Sequence, residues 1–171
     1  MDSKMPLYYN VSHSGRIAAL AVSRNVEVGI DVERIEPGRM YSEIADYALA
    51  PSERRLFAAM PQSEVPERFV TIWARKEAVI KCVGGSSAIL LDAFSVSTNP
   101  DRGEYATRIT SEKAIKCADI CNIDEAVTYR DLPMGIGYRA AVAWRSEKRS
   151  VTVTMRTVRA YREVVEIETP L

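Results

Sequence analysis

Cysteine is scarce and odd in number in this 171-residue chain, where Cys82, Cys117 and Cys121 are the only three. Neither a disulfide framework nor a paired-cysteine zinc site fits that count and spacing, so free thiols in a reducing compartment are expected. An excess of charge of either sign is lacking too. The 23 Lys and Arg balance the 23 Asp and Glu, which removes the global basic field of a nucleic-acid or membrane-surface binder. No run approaches the roughly 20 apolar residues of a transmembrane helix, and the first residues are too polar for a signal peptide. The expectation is a cytoplasmic protein with no nucleic-acid and no membrane partner. No internal repeat or low-complexity tract is visible. With 47% hydrophobic and 27% charged residues, residues 1–171 are expected to form one ordinary globular domain.

Three segments stand out because they place charge where core is expected. In Val26-Glu27-Val28-Gly29-Ile30-Asp31-Val32-Glu33 the apolar residues alternate with the others, the period of a half-buried strand. Asp31 and Glu33 therefore share a face, with Cα atoms roughly 6.5–7 Å apart. Carboxylates so close repel unless a proton or cation sits between them, and oxygen donors suit Mg²⁺. The alternative is the solvated outer face of an edge strand. From Glu67 to Val83, the residues Phe69, Ile72, Trp73, Ile80 and Val83 recur at helical steps, and Gly84-Gly85 closes the helix. Glu77 sits along that apolar stripe, where a carboxylate is costly unless paired or metal-bound. Lys81 follows it by one turn, which on an exposed face would be a simple i,i+4 pair. Upstream, Asn10-Val11-Ser12-His13-Ser14-Gly15 holds the only histidine. There two hydroxyls flank an imidazole at a turn, a place where donors can converge on phosphate oxygens. The other reading of His13 is a plain surface or packed imidazole.

The rest of the chain reads coarsely. Leu7 to Val22 predicts a hairpin, with Ser23-Arg24-Asn25 turning into the Asp31 strand. A loop through Pro37-Gly38, a helical region from about Ser42 to Met60 and a Pro61-to-Pro66 linker lead to the Glu77 helix. Ser95 to Thr98, Tyr105 to Thr110, Ala126 to Tyr129 and Tyr138 to Trp144 have strand composition. Lys113 to Cys121 fits a helix or a bent strand, Ser150 to Met155 alternates as a strand, and Val158 to Ile167 would continue the sheet. The fold class is α+β, with an antiparallel sheet packed on a long helix.

Taken in order, Asn10-Val11-Ser12-His13-Ser14-Gly15, Gly29-Ile30-Asp31-Val32-Glu33 and Trp73-Ala74-Arg75-Lys76-Glu77-Ala78-Val79-Ile80-Lys81 resemble the three signatures of the 4'-phosphopantetheinyl transferases of the surfactin-synthetase-activating type. Ala50-Pro51-Ser52-Glu53, Leu91 to Val96 and Gly137 to Ala143 extend the resemblance, which runs from about Tyr9 to about Trp144. Residues 145–171 form an extension that it does not explain. The resemblance implies transfer of the phosphopantetheine arm of coenzyme A to a serine of an acyl or peptidyl carrier protein. It implies Asp31, Glu33 and Glu77 as Mg²⁺ ligands. It further implies Ser12, His13, Lys76 and Lys81 as contacts to the phosphates of coenzyme A. Glu77, or a water on the metal, would take the serine proton, and Lys81 and His13 would act with it in catalysis.

Two-lobed members of this family carry a whole lobe ahead of the Asn-x-Ser-His-Ser-Gly motif, whereas nine residues precede Asn10 here. That lobe supplies basic residues for the adenine and the 3'-phosphate. A homo-oligomer, most simply a homodimer, or another subunit is therefore expected to complete the cradle, unless the sequence is part of a longer protein. The short bacterial holo-acyl-carrier-protein synthases oligomerise, although their motif order differs. The alternatives to an active transferase are a non-catalytic or weakly active module that binds coenzyme A or a carrier protein, and a Mg²⁺-dependent phosphotransfer site of unrelated ancestry.

Overall fold

The computed structural model describes residues 6–85, 91–99, 103–109, 126–145 and 152–155. Strands β1 (Tyr8–Ser14) and β2 (Ile17–Ser23) pair antiparallel. Gly15 closes their turn at φ +56, a setting that L side chains rarely adopt. Strand β3 (Val28–Arg34) is followed by helices α1 (Tyr41–Ala48), α2 (Pro51–Ala58) and α3 (Val65–Cys82). A 3-10 turn, Leu91–Ala93, precedes β4 (Glu104–Arg108), β5 (Ala126–Asp131) and β6 (Tyr138–Arg145). The last three strands join β3 in an antiparallel sheet of order β3-β6-β5-β4. Helices on an antiparallel sheet are the α+β class that the sequence leads one to expect.

Residue size on one sheet face sets how α3 docks. Gly29 lies opposite Ala143, and Asp31 opposite Ala141, across the β3–β6 register. Both alanines are fully buried in the cluster that holds Ala78, Val79, Ile80 and Cys82. A Cβ on Gly29 would stand 2.1 Å from the Ala78 carbonyl oxygen and 2.4 Å from the Cys82 nitrogen. Strand and helix backbones therefore meet here, and only glycine permits it. The opposite sheet face carries Ile30, Val142 and Trp144 against Ala21 of the hairpin. β3 is thus covered on both faces, and Asp31 and Glu33 look at the long helix instead of the solvent.

α3 can bury charge because its apolar anchors outweigh the cost. Phe69, Val70, Ile72, Val79 and Ile80 are each at most 4% exposed, and burying such a side chain stabilises by about 1.5–3 kcal/mol. The same helix buries Arg75, Lys76 and Glu77. Arg75 forms a fork on Asp131 at 2.8 and 2.6 Å and also donates to the Ser97 and Asn99 carbonyls.

Three expectations are corrected. The helical region near 42–60 is two helices, because Pro51 disfavours helical backbone in the preceding residue and Ala50 is extended at φ −64, ψ 158. Ser95 to Thr98 forms no strand, since side chains take the backbone groups a ladder would use. Glu53 accepts from Val96 N–H, the Tyr129 hydroxyl accepts from Ser97 N–H, Thr107 donates to the Ser95 carbonyl and Arg68 to that of Thr98. Within the Ser150-to-Met155 prediction, residues 152–155 have no regular structure, although Val153 packs beside the Trp144 cluster. The predictions for Lys113 to Cys121 and for Val158 to Ile167 lie outside the described residues.

Candidate functional site

An edge strand leaves every second N–H without a ladder partner, and on β3 those groups are met by side chains of β1. Asn10 Oδ1 accepts from Ile30 N–H at 3.0 Å, Ser12 Oγ from Val32 N–H at 3.2 Å and Ser14 Oγ from Arg34 N–H at 3.0 Å. The spacing is a constant 20 residues, so alternate residues of one strand step along alternate residues of the other. Two of these hydroxyls also reach the acidic pair. Ser12 donates to Asp31 Oδ1 at 2.9 Å, and Ser14 donates to Glu33 Oε2 at 3.1 Å. The hairpin is therefore fastened to the sheet by the same atoms that hold the carboxylates.

An open cleft of about 340 Å³ lies over this edge, bordered by Ser12, His13, Asp31, Glu33, Glu77 and Lys81. Six of the seven residues expected at a site thus converge from three elements. Ser12 and His13 come from β1, the acidic pair from β3, and Glu77 with Lys81 from one face of α3. Lys81 Nζ lies 2.6 Å from Asp31 Oδ1 and 3.3 Å from Ser12 Oγ. Burial nevertheless holds the Asp31 carboxyl above its ordinary range, the hydrogen bond and charge of Lys81 offsetting only part of that desolvation. Glu33 is raised as well, first by burial and then by the neighbouring Asp31 charge, while Ser14, Lys81 and the Trp73 indole pull the other way. The cleft is a place where negative charge is held at a cost, as functional sites commonly are.

Among the described residues, no three His, Cys, Asp or Glu side chains are drawn together as a metal-ion cluster. The donor chemistry nonetheless fits a hard cation. All three acidic residues offer oxygen, and Asp31 Oδ2 is buried without a hydrogen-bond partner among the described residues. Such an oxygen costs about 1–3 kcal/mol, and a hard divalent cation is the kind of partner that could satisfy it.

Lys76 is the exception among the expected residues. Its ammonium is fully buried on another side of α3, 2.7 Å from Glu53 Oε2, and it donates to the Leu91 and Phe94 carbonyls. Burial holds it below the ordinary lysine range, only partly offset by Glu53. A side chain so committed is not presented to a phosphate, so the expected contact from Lys76 is corrected to a structural one. Ser12 differs in a milder way. At 7% exposure, its proton goes to Asp31 and its oxygen accepts from Val32 and Lys81, which makes it a support for the acidic pair. Sequence reasoning missed the parts played by Asn10 and Glu53, and it read Ser14 as a donor to phosphate where its hydroxyl is bonded to Glu33. For Lys76 a signal existed, because consecutive helical residues never share a face.

The family model described as the 4'-phosphopantetheinyl transferase superfamily matches residues 27–136. The 4'-phosphopantetheinyl transferase AcpT of Escherichia coli K12 is 39% identical over 84 residues, which is 49% of this chain and 43% of that protein. The 4'-phosphopantetheinyl transferase Sfp of Bacillus subtilis 168 is 33% identical over 94 residues, 55% of this chain and 41% of that protein. HetI of Nostoc sp. PCC 7120, also a 4'-phosphopantetheinyl transferase, is 32% identical over 94 residues, 55% of this chain and 39% of that protein. In each case the match spans less than half the length of the relative.

Proposed function

Because this chain belongs to the 4'-phosphopantetheinyl transferase superfamily, we propose that its cleft holds the pyrophosphate of coenzyme A and transfers the phosphopantetheine arm to a serine of an acyl or peptidyl carrier protein. The observation that carries this reading is the convergence of Ser12, His13, Asp31, Glu33, Glu77 and Lys81 on one cleft. Asp31, Glu33 and Glu77 are the residues that would hold Mg²⁺. Bound there, the ion would neutralise charge on the pyrophosphate as the transferred phosphorus is attacked. His13 and Lys81 would grip phosphate oxygens, one through a ring N–H and the other as a point charge. The serine oxygen forms the new bond to phosphorus, the bond to the bridging oxygen breaks, and adenosine 3',5'-bisphosphate leaves. Glu77 borders the cleft and can take the serine proton.

The outer face of the hairpin favours a partner over the cleft. Leu7, Tyr9 and Val11 are 60%, 70% and 57% exposed, and Tyr9 and Val11 lie opposite Val22 and Leu20 in the strand register. A two-stranded hairpin gains from cover on such a face. His13 follows Tyr9 and Val11 at the same alternation, so a second copy seated there would also wall the cleft. A homodimer is the proposed assembly, and the cytoplasm its proposed place. Among the described residues no helix is long and apolar enough to cross a membrane.

The test separates a transferase from a coenzyme A-binding helper. Purified protein, coenzyme A and Mg²⁺ are mixed with an apo carrier protein, whose mass is then measured. Gain of one phosphopantetheine arm, abolished by chelator, supports transfer. Binding of coenzyme A without any mass gain on a panel of apo carrier proteins supports the helper instead.

A further inference from the structure

Ser14 occupies a position that the transfer reaction does not by itself explain. Its hydroxyl oxygen accepts from the Arg34 N–H at 3.0 Å. A backbone N–H can only donate, so the single hydroxyl proton is free to point at Glu33 Oε2, 3.1 Å away. The direction of that bond is thus fixed by the strand edge. Glu33 itself projects from β3 one alternation beyond Asp31 and borders the cleft, near the end of the hairpin where Gly15 packs against Tyr138 and Arg34. A free glutamate there has several rotamers. The hydroxyl selects one.

We propose that Ser14 is a positioning residue for the divalent-cation site, holding the Glu33 carboxylate in the orientation from which it completes a ligand set with Asp31 and Glu77. The inference rests on the metal reading given above and adds to it the residue that pre-orients one ligand. Groups hydrogen-bonded to metal ligands commonly change metal affinity by about 10–100-fold when removed. The side-chain bond of Ser14 goes to Glu33, whereas Ser12 bonds both Asp31 and Lys81, so Ser14 gives the cleaner test. Removing its hydroxyl leaves the Arg34 N–H to water, since Arg34 is exposed, and the fold is expected to survive.

The experiment measures Mn²⁺ binding by electron paramagnetic resonance, in the presence of coenzyme A, for the wild type, Ser14→Ala, Ser14→Thr, Glu33→Gln and the Ser14→Ala/Glu33→Gln double variant. Thermal unfolding of each confirms that it is folded. The proposal expects Ser14→Ala to weaken Mn²⁺ about tenfold, Ser14→Thr to restore most of that loss, and Ser14→Ala to cost nothing further once Glu33 is Gln. Wild-type affinity in Ser14→Ala overturns it. So does an equal additional loss in the Glu33→Gln background, because the hydroxyl would then act through some other group. Absence of Mn²⁺ binding to the wild type overturns the metal reading itself, and the positioning role with it. That outcome differs from the first two, in which the wild type binds and only the role of Ser14 falls.

Discussion

At the scale of single residues, the acidic pair carries its charge at a cost in stability. Asp31 and Glu33 are both shifted upward, chiefly by burial. Each therefore binds its proton more tightly folded than unfolded, and the folded state loses stability as pH rises through and above the ordinary values of 3.8 and 4.5. Glu33→Gln removes one of these charges. In the presence of a chelator, its stability advantage over the wild type should be absent below pH 4.5 and grow as pH rises toward neutrality. Urea unfolding across that range measures it; an advantage that shrinks with rising pH would reverse the sign of the account. Added Mg²⁺ should narrow the difference by stabilising only the wild type. The proposed metal role of Asp31 and Glu77 makes a prediction about activity. Asp31→Ala and Glu77→Ala should each lower transfer to a carrier protein about a hundredfold or more, since a bound cation is worth several kcal/mol of transition-state stabilisation. Near-wild-type, Mg²⁺-dependent transfer in either variant would remove that residue from the site.

At the scale of elements, the close docking of α3 on β3 and the pinning of α2 carry the architecture. Gly29→Ala would drive a methyl group into the helix backbone at Ala78 and Cys82, so a loss of about 3 kcal/mol is expected, the upper end for overpacking. Its denaturation midpoint measures this, and a midpoint equal to the wild type would mean that strand and helix do not meet there. Glu53 accepts from the Ala50 and Val96 amides and pairs with Lys76. Glu53→Ala leaves that ammonium buried without its counter-charge, and a loss of about 3–5 kcal/mol follows. Adding Lys76→Met should recover much of it. No recovery in the unfolding curve would show that the pair is not the reason. These elements also show what a sequence can reveal. The α3 helix and the Asp31 strand were legible because their apolar periods are local, and Glu77 because charge interrupts the stripe. The course of Ser95 to Thr98 was not, since Glu53, Arg68, Arg75, Thr107 and Tyr129 supply its hydrogen bonds from far along the chain. The Asn10, Ser12 and Ser14 ladder was hidden for the same reason, although its alternation is visible once the two strands are known to be neighbours.

At the scale of the whole molecule, the cleft has walls on the sheet and helix sides and an apolar hairpin face beside it. Dimerisation through that face predicts a mass of two chains by light scattering at micromolar concentration. Tyr9→Asp or Val11→Asp should convert this to one chain and weaken coenzyme A. A monomer that binds coenzyme A as tightly as the dimer would refute this assembly. The proposal that matters most is narrower than the assembly: three carboxylates, placed by a strand edge, a glycine contact and a helix face, would form one divalent-cation site beside the residues proposed to grip phosphate. Diffraction from crystals grown with Mn²⁺ and coenzyme A, recorded where manganese scatters anomalously, tests it most directly. The account predicts an anomalous peak in the cleft within ligand distance, about 2.0–2.3 Å, of oxygens from Asp31 and at least one of Glu33 and Glu77, with the pyrophosphate against it. A peak elsewhere, or bound pyrophosphate with no peak beside Asp31, would contradict it.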